Sequence, residues 1–117
     1  MIVDMLMRYQ VKVIFGVPGD TSIAFYEALH GAQPDIRHVM DRDERSASFM
    51  ADAYAGISRK PGLCECPSGT GPLYSVPGLA EANALSMPVI FLTLDIPLPG
   101  EGKCRCLPRF CGRRSGW

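Results

Sequence analysis

Glu44 stands where a strand-like run, Ile36-Arg37-His38-Val39-Met40, gives way to a segment of helical character. A carboxylate in that place can serve as a functional acid or base at a site. The alternative is a helix-start acid that only complements the dipole, worth about 0.3–1 kcal/mol. The residues that follow, Ser46, Ala47, Ser48, Ala51 and Ala53, are small. They let a flat group approach the backbone closely. A second cluster, Pro67-Ser68-Gly69-Thr70-Gly71-Pro72, is a glycine turn after what reads as the next strand. A carboxylate and a glycine turn at the ends of successive strands converge on one crevice, which is where open α/β sheets bind ligands.

The remaining chemistry-bearing residues are weaker candidates. Gly16-Val17-Pro18-Gly19 lacks the lysine of a phosphate-binding loop, and Gly69-Thr70-Gly71 lacks the third glycine of a dinucleotide fingerprint. Each by itself reads as a tight strand-to-helix turn. Cys64-Glu65-Cys66 puts two thiols on one face of a strand. Together with Cys104, Cys106 and Cys111 they do not have the spacing of a zinc knuckle, so inert thiols and no metal site are expected. His30 and His38 have no partner at metal-ligand spacing.

These residues need a scaffold, and the hydrophobic pattern supplies one. Residues 2–10 read as a helix with Ile2, Met5, Leu6 and Tyr9 on its apolar face. Lys12 to Phe15 reads as a strand stopped by Gly16, and Asp20, Thr21 or Ser22 can cap a helix carrying Ile23, Tyr26 and Leu29. Ile36–Met40 is the second strand. From about Asp43 runs a helix with Ala47, Met50, Ala51 and Tyr54 on its buried side. Leu63–Cys66 is a third strand. Pro77 and Gly78 push the start of the next helix toward Leu79. Val89–Leu94 is an apolar run expected to be covered on both faces. Strand and helix alternate throughout, which implies an α/β fold with a parallel sheet flanked by helices.

Bulk properties narrow the classes. The 117 residues suffice for one domain, and 47% of them are apolar, which supports a packed core. The formal net charge is zero, so there is no general pull toward nucleic acid or membrane surfaces. Residues 1–100 carry seven basic and eleven acidic side chains, whereas residues 101–117 carry five basic and one. That tail, with Arg105, Arg109, Phe110, Arg113, Arg114 and Trp117, is expected to be a disordered basic end rather than a nucleic-acid site. No apolar run reaches the roughly 20 residues needed to span a bilayer. The N-terminus reads as a helix rather than a targeting segment, and five cysteines without a secretory pattern point to a reducing, cytoplasmic setting.

Residues 1 to about 102 resemble the N-terminal pyrimidine-binding domain of thiamine-diphosphate-dependent enzymes, in the group of acetolactate synthase, pyruvate oxidase and benzoylformate decarboxylase. Four blocks carry the resemblance in order. They are Val13–Gly19, Arg42-Asp43-Glu44 through Ala55, Ser68-Gly69-Thr70-Gly71, and Met87-Pro88-Val89-Ile90. The resemblance implies that Glu44 hydrogen-bonds the N1′ atom of the cofactor's aminopyrimidine and favours its imino tautomer, and that the parent enzyme decarboxylates or carboligates 2-keto acids. It also implies that Pro18 and Gly19 border the reacting centre and that Ser68, Gly69, Thr70 and Gly71 line the pyrimidine side. The pattern departs from the family's at Asp43, where His is common, at Thr70, where Pro is common, at Tyr74, where Asn is frequent, and at Asp95, where synthases often carry Gln.

Nothing in the sequence matches the Gly-Asp-Gly motif by which such enzymes hold Mg2+ against the diphosphate. The chain is therefore expected to be a truncated domain of residues 1–102 with a basic tail of residues 103–117, inactive by itself. It would pair as a homo-oligomer or with a chain that brings a pyrophosphate domain. FAD is left open as a further cofactor of the parent enzyme. Two other readings compete: a non-catalytic α/β domain that pairs with another chain, and an unrelated nucleotide-binding domain using Gly16–Gly19 or Gly69–Gly71.

Overall fold

A computed structural model describes residues 1–31 and 35–94. Four strands, β1 (Val13–Gly16), β2 (Arg37–Met40), β3 (Gly62–Cys66) and β4 (Val89–Thr93), form one sheet in the order β2-β1-β3-β4. Every pairing is parallel. The helices are α1 (Ile2–Arg8), α2 (Ile23–Gly31), α3 (Glu44–Ser58) and α4 (Gly71–Ala84), with a 3₁₀ turn over Asp20–Ser22 ahead of α2. The parallel α/β architecture is the one the alternating pattern predicts.

Side chains on the two faces of the sheet build two cores. Ile14 and Leu63 face α1 and α2 and pack with Val3, Leu6, Val11, Phe25, Leu29 and Ile36. Phe15 and Cys64 face α3 and pack with Ala47 and Ala51. The central strand β3 is buried at all five positions. Helix α4 lies mainly against α3, and the contact is made by small residues on both sides. These are Ala47, Ser48, Ala51 and Ala55 on α3, and Gly71, Ser75, Gly78 and Ala82 on α4.

Several sequence expectations are corrected here. Helix α4 begins at Gly71, not near Leu79, and Pro77 lies inside it. Pro72 sits in the first turn, where its missing N–H costs nothing. Pro77 and Leu73 are on the exposed side, so the carbonyl freed at Leu73 can be hydrated. Gly78 meanwhile presses on α3: a Cβ there would stand 2.7 Å from the backbone nitrogen of Phe49. In α1 the buried residues are Val3 and Leu6, whereas Ile2, Met5 and Tyr9 are exposed. The helix ends at Arg8 and Gln10 has φ 58, so Tyr9 no longer continues its periodic face. On α2, Phe25 joins Leu29 in the core while Ile23 is exposed. On α3, Met50 and Tyr54 are half-buried flanking residues, and Ser48 and Ala55 complete the buried stripe. Among the described residues β4 ends the sheet, and Ile90 is 39% exposed rather than covered, because α1 and α2 lie over β1 and β3.

Candidate functional site

Three loops leave the carboxyl ends of β1, β2 and β3 at one edge of the sheet. Between the central strands β1 and β3 the chain's connections diverge, to β2 on one side and toward β4 on the other. Such a switch point opens a crevice in a doubly wound sheet.

Glu44 is the first residue of α3 and half-buried. Asp43 caps that helix, its Oδ1 accepting from the Arg45 backbone N–H at 2.7 Å and its Oδ2 pairing with the Arg45 guanidinium at 3.2 Å. Asp43 is thereby committed to the helix, and Glu44 is left as the carboxylate turned toward the glycine bend. A Cβ at Gly71 would stand 3.4 Å from Glu44 Oε1, and would also meet Pro67 and Cys66. Gly71 therefore lies next to the carboxylate, and a Cβ there would stand in ordinary van der Waals contact with it. The Ser75 hydroxyl, one turn along α4, is 3.4 Å from the Glu44 carbonyl and 3.3 Å from that of Gly71.

The bend itself is shaped by Gly69, with φ +92, a conformation glycine adopts without strain. Thr70 is the N-cap of α4 without a side-chain cap bond. The Ser68 backbone N–H donates to Thr21 Oγ1 at 3.0 Å, while the Ser68 hydroxyl is buried with no partner among the described residues. Gly19 lies against the same loop, since a Cβ there would sit 2.5 Å from Pro67 Cβ. The Gly19 turn is clamped by Ser22, whose Oγ accepts from the Gly19 N–H and donates to its carbonyl, both at 3.0 Å. Pro18 lies at the mouth of a cleft of about 370 Å3 with Gly19, Ile23, Tyr26, Glu27 and His30. The structure thus brings Gly19, Glu44, Ser68 and Gly71 to one edge, with Pro18, Gly69 and Thr70 on its exposed rim.

One polar cluster escaped the sequence reading. Glu65 on β3 points away from Cys64 and Cys66 and is fully buried. Tyr26 on α2 donates its hydroxyl to Glu65 Oε2 and lies 3.1 Å from His38 Nε2 on β2. Burial raises the Glu65 carboxyl above the usual carboxylate range. The Tyr26 bond opposes that rise, and the charge of Glu44 adds to it. Burial lowers His38, partly offset by the Gly16 carbonyl beside its ring. The signal for Glu65 was period-2 alternation: flanking thiols on one face put the acid on the other.

Burial also lifts Cys64 to about 12, and raises Cys66 in the same direction. Both are free thiols. Cys104, Cys106, Cys111 and the basic tail lie outside the described residues. Among those described, no helix is long and apolar enough to cross a membrane.

The fold and the edge site define a parallel α/β domain with a carboxylate at its switch point. The profile of the family described as "Thiamine pyrophosphate enzyme, N-terminal TPP binding domain" matches residues 1–109, and the chain belongs to that family. An acetolactate synthase large subunit from Parasynechococcus marenigrum is 37% identical over 103 residues, which cover 86% of this chain and 17% of the relative. A probable acetolactate synthase large subunit from Methanocaldococcus jannaschii is 41% identical over 96 residues, 82% of this chain and 16% of the relative. A probable 2-ketoarginine decarboxylase from Pseudomonas aeruginosa is 38% identical over 92 residues, 79% of this chain and 16% of the relative. Among solved structures, a putative thiamin diphosphate-dependent enzyme from Mycobacterium smegmatis superposes with a TM-score of 0.72 at 28% identity, over 80% of this chain and 17% of that one. The chain therefore spans about one sixth of the length of the relatives it matches.

Proposed function

We propose that this chain forms the pyrimidine-side half of a thiamine diphosphate site in an enzyme that acts on 2-keto acids, with Glu44 as the residue that shares a proton with the aminopyrimidine ring. The observation that carries this reading is the approach of the half-buried Glu44 carboxylate to the Gly69–Gly71 bend at the sheet's carboxyl edge. The unpartnered Ser68 hydroxyl supplies a hydrogen bond at the same edge. Gly19, held by Ser22, lies against Pro67 of the same bend, with Pro18 beside it.

Thiamine diphosphate, when bound, supplies an electron sink for the carbanion left by loss of carbon dioxide. The residues present would position the ring and control its protonation. Glu44 is half-buried, so a proton it holds at the ring nitrogen is partly shielded from exchange with water. The rest of the cofactor needs other groups. No Lys or Arg lies between Gly62 and Leu94, so the bend has no cation after it to hold a diphosphate. The Mg2+ and diphosphate contacts would come from a pyrophosphate-binding domain on other residues. Without them most charge-assisted binding is lost. The free, buried thiols Cys64 and Cys66 fit a reducing cytoplasmic setting.

Exposed apolar side chains support pairing with another polypeptide. Leu73, Tyr74 and Val76 on α4 and Phe49 on α3 are all exposed. The same surface serves a non-catalytic partner domain, and Glu44 separates the two readings. Mixed with a chain carrying the pyrophosphate domain of an acetolactate synthase-like enzyme, the protein should restore decarboxylation of a 2-keto acid. Glu44→Gln should lower that rate by about 10²-fold or more. Restored activity indifferent to Glu44→Gln would overturn the assignment, as would micromolar binding of thiamine diphosphate and Mg2+ by a Glu44→Gln chain in calorimetry.

A further inference from the structure

The buried cluster beneath the site has a chemistry of its own. Glu65 is 0% exposed and lies on the α1/α2 face of the central strand. Its carboxyl rests on Gly16: a Cβ there would stand 2.9 Å from Oε2. Oε2 accepts from Tyr26, and Oε1 has no partner among the described residues. The Ser22 hydroxyl faces the same carboxyl but is already committed to the Gly19 carbonyl. The Tyr26 hydroxyl is shared between Glu65 and His38 Nε2, 3.1 Å away, and the two rings stand edge-on with centroids 4.8 Å apart. Three titratable groups from β3, α2 and β2 are therefore joined in one line. One end lies under the Gly16–Gly19 turn and the other on half-buried β2.

We propose that Glu65, Tyr26 and His38 form a proton relay between the base of the edge site and the surface at β2. The heavy-atom geometry admits two proton arrangements. In one, protonated Glu65 donates to the Tyr26 oxygen and Tyr26 donates to neutral His38. In the other, Tyr26 donates to the Glu65 carboxylate and protonated His38 donates to Tyr26. Passage from the first to the second breaks the Glu65 O–H bond and forms a Tyr26 O–H bond. The original Tyr26 proton moves to His38 Nε2, leaving a carboxylate and an imidazolium. No other reactant is needed, and reversal reloads the acid. Ionised Glu65 sets a negative charge under Gly16, and its sign then acts on any ligand held by the turn above.

The groups facing this line are few. Glu65 meets Tyr26 from α2 and Ser22 from the 3₁₀ turn, with Cys64 and Cys66 on its own strand and the charge of Glu44 from α3. His38 meets Tyr26 and the Gly16 carbonyl. Burial favours the uncharged arrangement at both ends. The two ends then titrate as a coupled pair rather than as independent sites.

The test is the NMR titration of the His38 ring in the full chain, with His30→Gln assigning the only other histidine. In the relay, Glu65→Gln removes the carboxylate that stabilises the imidazolium. The His38 midpoint should fall by about one pH unit, and any second inflection should vanish. Tyr26→Phe keeps the ring in the core but cuts the line, and should move His38 in the same direction. Curves unchanged from the parent in both variants overturn the relay. So does a shift in Glu65→Gln that Tyr26→Phe fails to reproduce, because that is charge acting through space. Should Glu65→Gln not fold, Tyr26→Phe decides alone: a shifted His38 curve supports the relay and an unshifted one ends it.

Discussion

At the scale of single residues, burial on the central strand decides more than residue type does. Glu44 and Glu65 are both carboxyls near the same edge, yet one is half-buried and reachable and the other is sealed under α2. Environments that differ this much separate two acids into different roles. Cys64 shows the same rule with a thiol. Its ordinary value of 9.0 is pushed up to about 12 by burial, so the native thiol keeps a proton that the unfolded chain releases. Unfolding is then favoured as pH rises above about 9, and this contribution to stability is fully present only below it. Urea melts between pH 9 and 11 should lose up to about 1.4 kcal/mol per pH unit from this group. In Cys64→Ala that slope should flatten by the same amount, on top of a pH-independent loss from the cavity. An equal slope in both proteins would show the thiol to be ionised in the folded state.

At the scale of elements, the packing of α3 on α4 carries the site, because Glu44 begins one helix and Gly71 the other. The two are drawn together by small residues, and Gly78 marks the tightest approach. Gly78→Ala would drive a methyl group into the α3 backbone at Ser48 and Phe49, an overpacking cost of about 1–3 kcal/mol. Pro77→Ala acts in the opposite sense. It restores an N–H for the Leu73 carbonyl on an exposed face, and should stabilise the fold by about 1–3 kcal/mol. The two urea midpoints should therefore move in opposite directions from the parent. If both fall, α4 does not run unbroken through Pro77.

At the scale of the molecule, apolar surface remains uncovered. Leu73 is 70% exposed and Tyr74 59%, and Ile90 on β4 shows a third of its surface or more. Apolar patches of this kind mark association surfaces. Sedimentation velocity should show concentration-dependent association of the chain in the micromolar range. Leu73→Glu together with Val76→Glu should shift it toward monomer with little change in helix content, since both side chains face outward on α4. A monomer at every concentration, before any substitution, would remove the case for pairing through α4.

The sequence by itself determined the order of strands and helices, the parallel sheet and the meeting of Glu44 with the Ser68–Gly71 bend. Period, capping residues and glycine turns are local, and each writes its signal over a few neighbouring positions. A helix starting at about Asp43 with Glu44 at its head was legible for that reason, and the structure adds that Asp43 is its cap. Only the tertiary structure decided that α4 runs through Pro77, because the compensation lies in Gly78 packing on another helix. It alone decided that β1 and β3 are the inner strands of the order β2-β1-β3-β4 among the described residues, since that order depends on which connections cross the sheet. It alone joined Tyr26, His38 and Glu65, which sit on three elements and have no spacing in common. A buried acid becomes visible only when the layers that exclude water from it have been assembled.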